Sequence, residues 1–213
     1  MDHAPQPAPV LARLREGFER IALVLRADLW SAAGEAGLNP TQAQVLALLA
    51  ARPAGLRPKE IAAHLAVTAA SMADTLSALE RKALLRRTPD PADARAVIAR
   101  LTDGGRDLGG RLASAASQVT AALAGLSANE QADLLLAQVK IIRTLQQAGA
   151  IPLQRLCVTC RHFRPHAHPG EANPHHCAFV NAAIGDRDLR LDCGEHEAAD
   201  PAVQAATWTA FTG

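Results

Sequence analysis

From Val10 onward, apolar residues return at three- and four-residue spacing: Leu11, Leu14, Phe18, Ile21, Leu25 and Leu29. That period predicts an amphipathic helix over residues 10–34. Asn39-Pro40-Thr41-Gln42 reads as a helix start, with a cap, a proline at the first helical position and a glutamine three residues after the cap. The helix it opens runs to about residue 51 and offers Val45, Leu46, Leu48 and Leu49 to a core; Arg52-Pro53-Ala54-Gly55 stops it. Next, Pro58 and Glu60 open a short helix with Ile61, Ala62 and Leu65 on one face. Thr68 caps a second helix whose Met72, Leu76 and Leu79 point one way. The opposite face, Ala69, Ala70, Ser71, Ala73, Asp74 and Ser77, is small and polar, which suits a helix lying in a groove.

Two β-prone runs follow, 84–88 and 95–101, on either side of Pro89-Asp90-Pro91-Ala92-Asp93-Ala94, and they predict a hairpin. Helix, turn, helix and hairpin make a winged helix, whose second helix enters the DNA major groove. Beyond Thr102 a helix is expected again, weakened by Gly104, Gly105, Gly109 and Gly110 and carrying Leu112, Val119, Leu123 and Leu126. Ser127-Ala128-Asn129-Glu130 is a capping box for a last helix with Leu134, Leu135, Val139, Ile142 and Leu145. With the first helix, these two suit an intertwined dimer.

The succession Leu56, Lys59-Glu60-Ile61-Ala62, Leu65, Leu79-Glu80-Arg81-Lys82, Leu84-Leu85, Arg87, Asp93-x-Arg95 and Leu101-Thr102 resembles the MarR family of transcription regulators over roughly residues 10–148. The resemblance implies a homodimer on a palindromic duplex operator. It also implies that Arg95 reaches the minor groove with Asp93 bracing it, and that a small phenolic or lipophilic molecule is a candidate effector. The candidate DNA-binding set is Ser71, Asp74, Thr75, Ser77, Arg86, Arg87, Asp93 and Arg95. This chain departs from several relatives by placing Ala69, Ala73 and Asp74 early in the recognition helix; an aspartate repels phosphate yet accepts from cytosine N4.

The chain has 213 residues and a formal net charge of only +1, but the charge is uneven. Residues 52–111 hold eleven Lys/Arg against seven Asp/Glu, whereas 150–213 hold five against seven. The basic excess falls on the winged helix, where phosphate contacts are needed. No apolar run approaches the ~18–20 residues of a membrane span, and Met1 to Pro7 lacks the features of a signal peptide. These point to a cytoplasmic protein with no membrane association.

After Gln147-Ala148-Gly149-Ala150-Ile151-Pro152 the character changes. All four cysteines lie here, Cys157, Cys160, Cys177 and Cys193, with two, sixteen and fifteen residues between them, as do six of the eight histidines. In a reduced compartment such a set binds metal more often than it forms disulfides, and the segment has little aliphatic material with which to fold alone. Two readings stay open. Zinc would take Cys157 and Cys160 with Cys193 and either Cys177 or His196. Alternatively, the cysteine spacing, with Phe163 three residues after the pair, resembles that of high-potential iron–sulfur proteins, which implies a cluster on all four cysteines; the reading leans to iron–sulfur. A thiol oxidoreductase on Cys157 and Cys160 is a remote third option, because no βαβ pattern supports it.

The expected protein is therefore mainly α with a small β-wing: a winged helix-turn-helix flanked by dimerisation helices, plus a small irregular metal-stapled C-terminal module. Its segments are a disordered 1–9, a winged-helix and dimerisation domain over 10–149, a Cys/His-rich module over 150–200 and an apolar tail over 201–213. It is expected to regulate transcription and not to be an enzyme.

Overall fold

The computed structural model describes residues 9–115 and 117–213; the expected disordered terminus, Pro9 apart, lies outside them. Two compact units divide between Gly125 and Leu126.

The first unit opens with α1 (Val10–Glu35) and α2 (Pro40–Ala50). Asn39 and Gln42 close the expected capping box: the Gln42 N–H donates to Asn39 Oδ1 at 2.9 Å. α3 (Pro58–His64) and α4 (Ala69–Arg81) form the helix-turn-helix. The Glu60 carboxylate accepts from the Arg57 N–H at 2.7 Å, and the Thr68 hydroxyl accepts from the Ser71 N–H at 3.2 Å. β1 (Leu85–Asp90) and β2 (Asp93–Leu101) pair antiparallel with Leu85 opposite Leu101 and Thr88 opposite Ile98, leaving Pro91-Ala92 as the tip. Leu56 adds a short bridge to Ala99. Val45, Leu46, Leu49, Ile61, Met72, Leu76, Leu79, Leu85 and Leu101 close over one core, so the predicted inward faces of α2, α3 and α4 are the ones buried.

The helix expected after Thr102 is two. α5 (Asp103–Ala113) ends at Ser114, and α6 (Gln118–Ala124) begins after Ser117. Asp28 of α1 draws the restart: its carboxylate accepts from the Ser117 hydroxyl at 2.8 Å and from the Gln118 N–H at 3.0 Å. Those bonds hold its pKa below the usual carboxylate range, the serine contributing most. The glycines of α5 also do more than weaken it. A Cβ at Gly105 would lie 1.9 Å from the Leu84 carbonyl oxygen, and one at Gly109 would lie 2.6 Å from that of Leu46. Along α1, Leu11, Leu14, Phe18, Ile21 and Leu25 are exposed, Leu11 at 76%; within the stripe, Leu29 packs on the core.

The second unit comprises α7 (Ala128–Gln147), β3 (Phe163–Arg164), β4 (His175–Cys177), β5 (Ala182–Ile184) and α8 (Pro201–Thr212). The strands form an antiparallel sheet in the order β3-β4-β5. The module is less irregular than expected, and it has a core. Val139 of α7, Leu156, Val158, Phe163, Leu189 and Phe211 of α8 bury together, with Leu135, Leu136, Ile142 and Trp208 packed around them. The missing aliphatic material thus comes from α7, which the sequence groups with the winged helix, and from the apolar tail, which is a docked helix. Among the described residues, no helix is long and apolar enough to cross a membrane.

Candidate nucleic-acid interface and candidate metal centre

On the first unit, the exposed side of α4 presents Ala69, Ala70, Ser71, Ala73 and Asp74, as the pattern predicts. The hydroxyls of Thr75 and Ser77 are occupied. The Thr75 hydroxyl donates to the Ser71 carbonyl at 2.8 Å, and the Ser77 hydroxyl donates to the Ala73 carbonyl at 2.8 Å. Arg87 is tied inward: Nη2 donates to Ser77 Oγ at 3.0 Å, and Nε lies 3.4 Å from Glu80 Oε2. Arg87 therefore braces α4 against β1 and is unavailable to phosphate in this arrangement, unlike Arg86, which is exposed one residue earlier.

Arg95 projects from the wing with its side chain 98% exposed. Asp93 holds it by the backbone, accepting from the Arg95 N–H at 3.1 Å, while the guanidinium stands 4.0 Å away. The expected brace is therefore on the turn, and the cation itself is free to reach outward. The stronger anchor is one the sequence reading missed. Arg57, before α3, donates through Nε to buried Asp90 at 2.6 Å, and the Ala92 N–H donates to the same carboxylate at 2.8 Å. These contacts, the Ala92 bond foremost, keep Asp90 more acidic than an ordinary aspartate. Nothing local marks the pair, since 33 residues separate its members.

In the second unit, Cys157, Cys160, Cys177 and Cys193 all line one cavity of about 330 Å³, closed further by Phe163, Phe179, Val180, Ile184 and Arg190. Four cysteines scattered over 37 positions thus converge. Cys157 opens the 3₁₀ turn Cys157–Thr159, Cys160 follows it, Cys177 ends β4, and Cys193 sits on the loop before α8. All four are free thiols. Burial pushes the Cys157 thiol up to about 11, with further raising by the other three sulfurs and an opposing hydrogen bond from the Arg190 N–H at 3.2 Å. Arg190 also sends its guanidinium to Cys193 at 3.8 Å and to Glu195 at 3.3 Å.

Among the described residues, no three Cys, His, Asp or Glu groups are gathered tightly enough to hold a single metal ion. His196, the alternate zinc ligand, does not line the cavity; its Nε2 lies 3.0 Å from the Thr159 hydroxyl. His175 serves the frame. Fully buried His175 accepts at Nδ1 from the His166 N–H at 3.1 Å, so its Nε2 carries the proton toward Asp186 at 2.9 Å. It packs against Phe163 and Phe211 with ring centroids 5.3 and 5.6 Å away.

The helix-turn-helix, wing and flanking helices of the first unit constitute a winged-helix fold. Residues 36–96 match the model of the MarR family. The chain is 36% identical over 103 residues to the uncharacterized HTH-type transcriptional regulator YkoM of Bacillus subtilis, covering 47% of this chain and 66% of that one. Among solved structures it resembles CouR from Rhodococcus jostii bound to p-coumaroyl-CoA, with TM-score 0.53, 22% identity, and 69% and 98% of the two chains covered. It also resembles apo MarR from E. coli, with TM-score 0.51, 22% identity, and coverage of 64% and 98%. The first unit accordingly has a winged-helix fold that matches those of MarR-type proteins; the matched segment 36–96 contains α2, α3, α4, β1 and the start of β2.

Proposed function

We propose that this chain is a homodimeric, DNA-binding transcription regulator of the MarR type, whose four cysteines hold an iron–sulfur cluster that senses redox state or iron. The observation that carries the DNA-binding part is the pairing of an exposed small-residue face on α4 with the unshielded guanidinium of Arg95 on an anchored wing. These are the two elements a winged helix brings to the grooves. The exposed stripe of Leu11, Leu14, Phe18, Ile21 and Leu25 supports the dimer, because so long an apolar row on a soluble helix calls for a partner surface.

What supports a cluster over a single ion is room. Four thiolates on one zinc at about 2.3 Å would stand roughly 3.8 Å apart with no space between them, whereas these four line a cavity of about 330 Å³. The donor set, all cysteine, suits iron–sulfur chemistry, which supplies one-electron redox when bound. Cys157, Cys160, Cys177 and Cys193 would be the ligands. The Arg190 N–H on Cys157 would stabilise the more electron-rich sulfur, and Phe163, Phe179 and Ile184 would limit water.

The test is protein purified without oxygen, assayed for iron, sulfide and zinc on one sample, with duplex binding measured for loaded and cluster-free protein at one salt concentration. Iron and sulfide in matching amounts with unequal operator affinity support the proposal. Equal affinity removes the sensing role, and one zinc per chain without iron makes the centre a structural staple and turns the search to small-molecule effectors.

A further inference from the structure

We infer that α4 reads a half-site chiefly through acceptor and methyl chemistry, with Asp74 accepting from cytosine N4 and the methyls of Ala69, Ala70 and Ala73 meeting thymine. The inference rests on the DNA-binding reading above and names the kind of sequence that reading would select. It comes from a census of the exposed face. Ser77 donates to Ala73 O and accepts from Arg87; Thr75 donates to Ser71 O; both hydroxyl protons are spent inside the protein. The Thr68 hydroxyl donates to Ser71 Oγ at 3.0 Å, leaving Ser71 one proton to give.

Asp74 is exposed and makes no hydrogen bond or ion pair among the described residues. No Arg, Lys, Asn or Gln stands on α4 before Arg81. Bidentate recognition of guanine needs two N–H donors aimed at O6 and N7, and this face has none. An uncommitted carboxylate fits the cytosine amino group, and alanine methyls fit the thymine methyl. The same carboxylate repels phosphate, so it lowers affinity for every duplex except one that places a cytosine amino group opposite it.

That opposition of signs defines the experiment. Full-length protein, Asp74→Ala and Asp74→Asn are each used to select from a random duplex library at one salt concentration, and binding to a fixed unrelated duplex is measured alongside. The wild type is expected to specify cytosine at one position per half-site. Asp74→Ala should lose that discrimination by roughly 5- to 150-fold while binding the unrelated duplex more tightly. Asp74→Asn should move the preference at the same position from cytosine to adenine, whose N6 and N7 pair with a carboxamide. Both variants lie on an exposed helical position and should keep the wild-type circular dichroism. If Asp74→Ala selects the same bases at every position, the inference falls while DNA binding stands. If no protein binds duplex of any sequence, the DNA-binding reading falls and takes the inference with it.

Discussion

Replacing the glycines of α5 one at a time separates two accounts of why they are there. If they only weaken the helix, each Gly→Ala change should stabilise by up to about 1 kcal/mol through helix propensity and reduced freedom of the unfolded chain. The structure divides them instead. Nothing lies within 4 Å of a Cβ added at Gly104 or Gly110, so those two should gain about 0.5–1 kcal/mol. At Gly105 the added carbon would sit 1.9 Å from the Leu84 carbonyl oxygen, where real contacts stay beyond 3.0 Å. Relief requires α5 to retreat by about 1 Å from a turn held by the Thr102 N–H on that same carbonyl at 3.2 Å. Overpacking against backbone costs about 1–3 kcal/mol and here exceeds the propensity gain, for a net loss near 2 kcal/mol. Gly109, 2.6 Å from Leu46 O, should lose about 1 kcal/mol. Thermal unfolding by circular dichroism would read these as shifts of roughly 2–4 °C per kcal/mol, upward for Gly104→Ala and Gly110→Ala, downward for Gly105→Ala and Gly109→Ala. Four upward shifts would refute the close-packing argument.

The Arg57–Asp90 anchor makes the wing acid-sensitive. A carboxyl more acidic folded than unfolded contributes stability that is complete above its unfolded value, about 3.9, and is lost as pH falls through the lowered folded value. Protection of the β1–β2 amides, read as exchange rates corrected for their intrinsic pH dependence, should therefore fall below about pH 4 in wild type, and Asp90→Asn should show the lower protection already at pH 7. Arg95→Ala or Arg86→Ala should flatten the salt dependence of duplex binding by about one phosphate contact, a slope change near 0.9. Arg87→Ala, by contrast, should leave that slope alone and lower the melting temperature, because its partners are Ser77 and Glu80. Phe211→Ala, which removes a buried ring beside Phe163 and His175, should cost about 3 kcal/mol and expose the C-terminal unit to limited proteolysis.

What the sequence determined by itself is local. Caps and 3.6-residue periods place α1, α2, α3, α4 and α7 within a residue or two, because a cap bonds its own helix end and an apolar stripe repeats within a few turns. The hairpin was legible from its β-prone runs and Pro/Asp tip, though the observed tip is only Pro91-Ala92. The cysteine spacing announced a shared site without saying how the four would meet.

Tertiary structure decided everything that depends on residues far apart in the chain. Asp28 breaks the helix after Thr102 by capping Gln118, 90 residues away. Gly105 and Gly109 prove to be contact points because Leu84 and Leu46 come to them. Arg87 passes from candidate phosphate contact to internal brace once Ser77 and Glu80 are seen beside it. An apparent tail becomes α8 because Phe211 finds Phe163 and His175. A sequence pattern records which face of an element is apolar; which group from elsewhere meets that face is settled only when the elements close on one another.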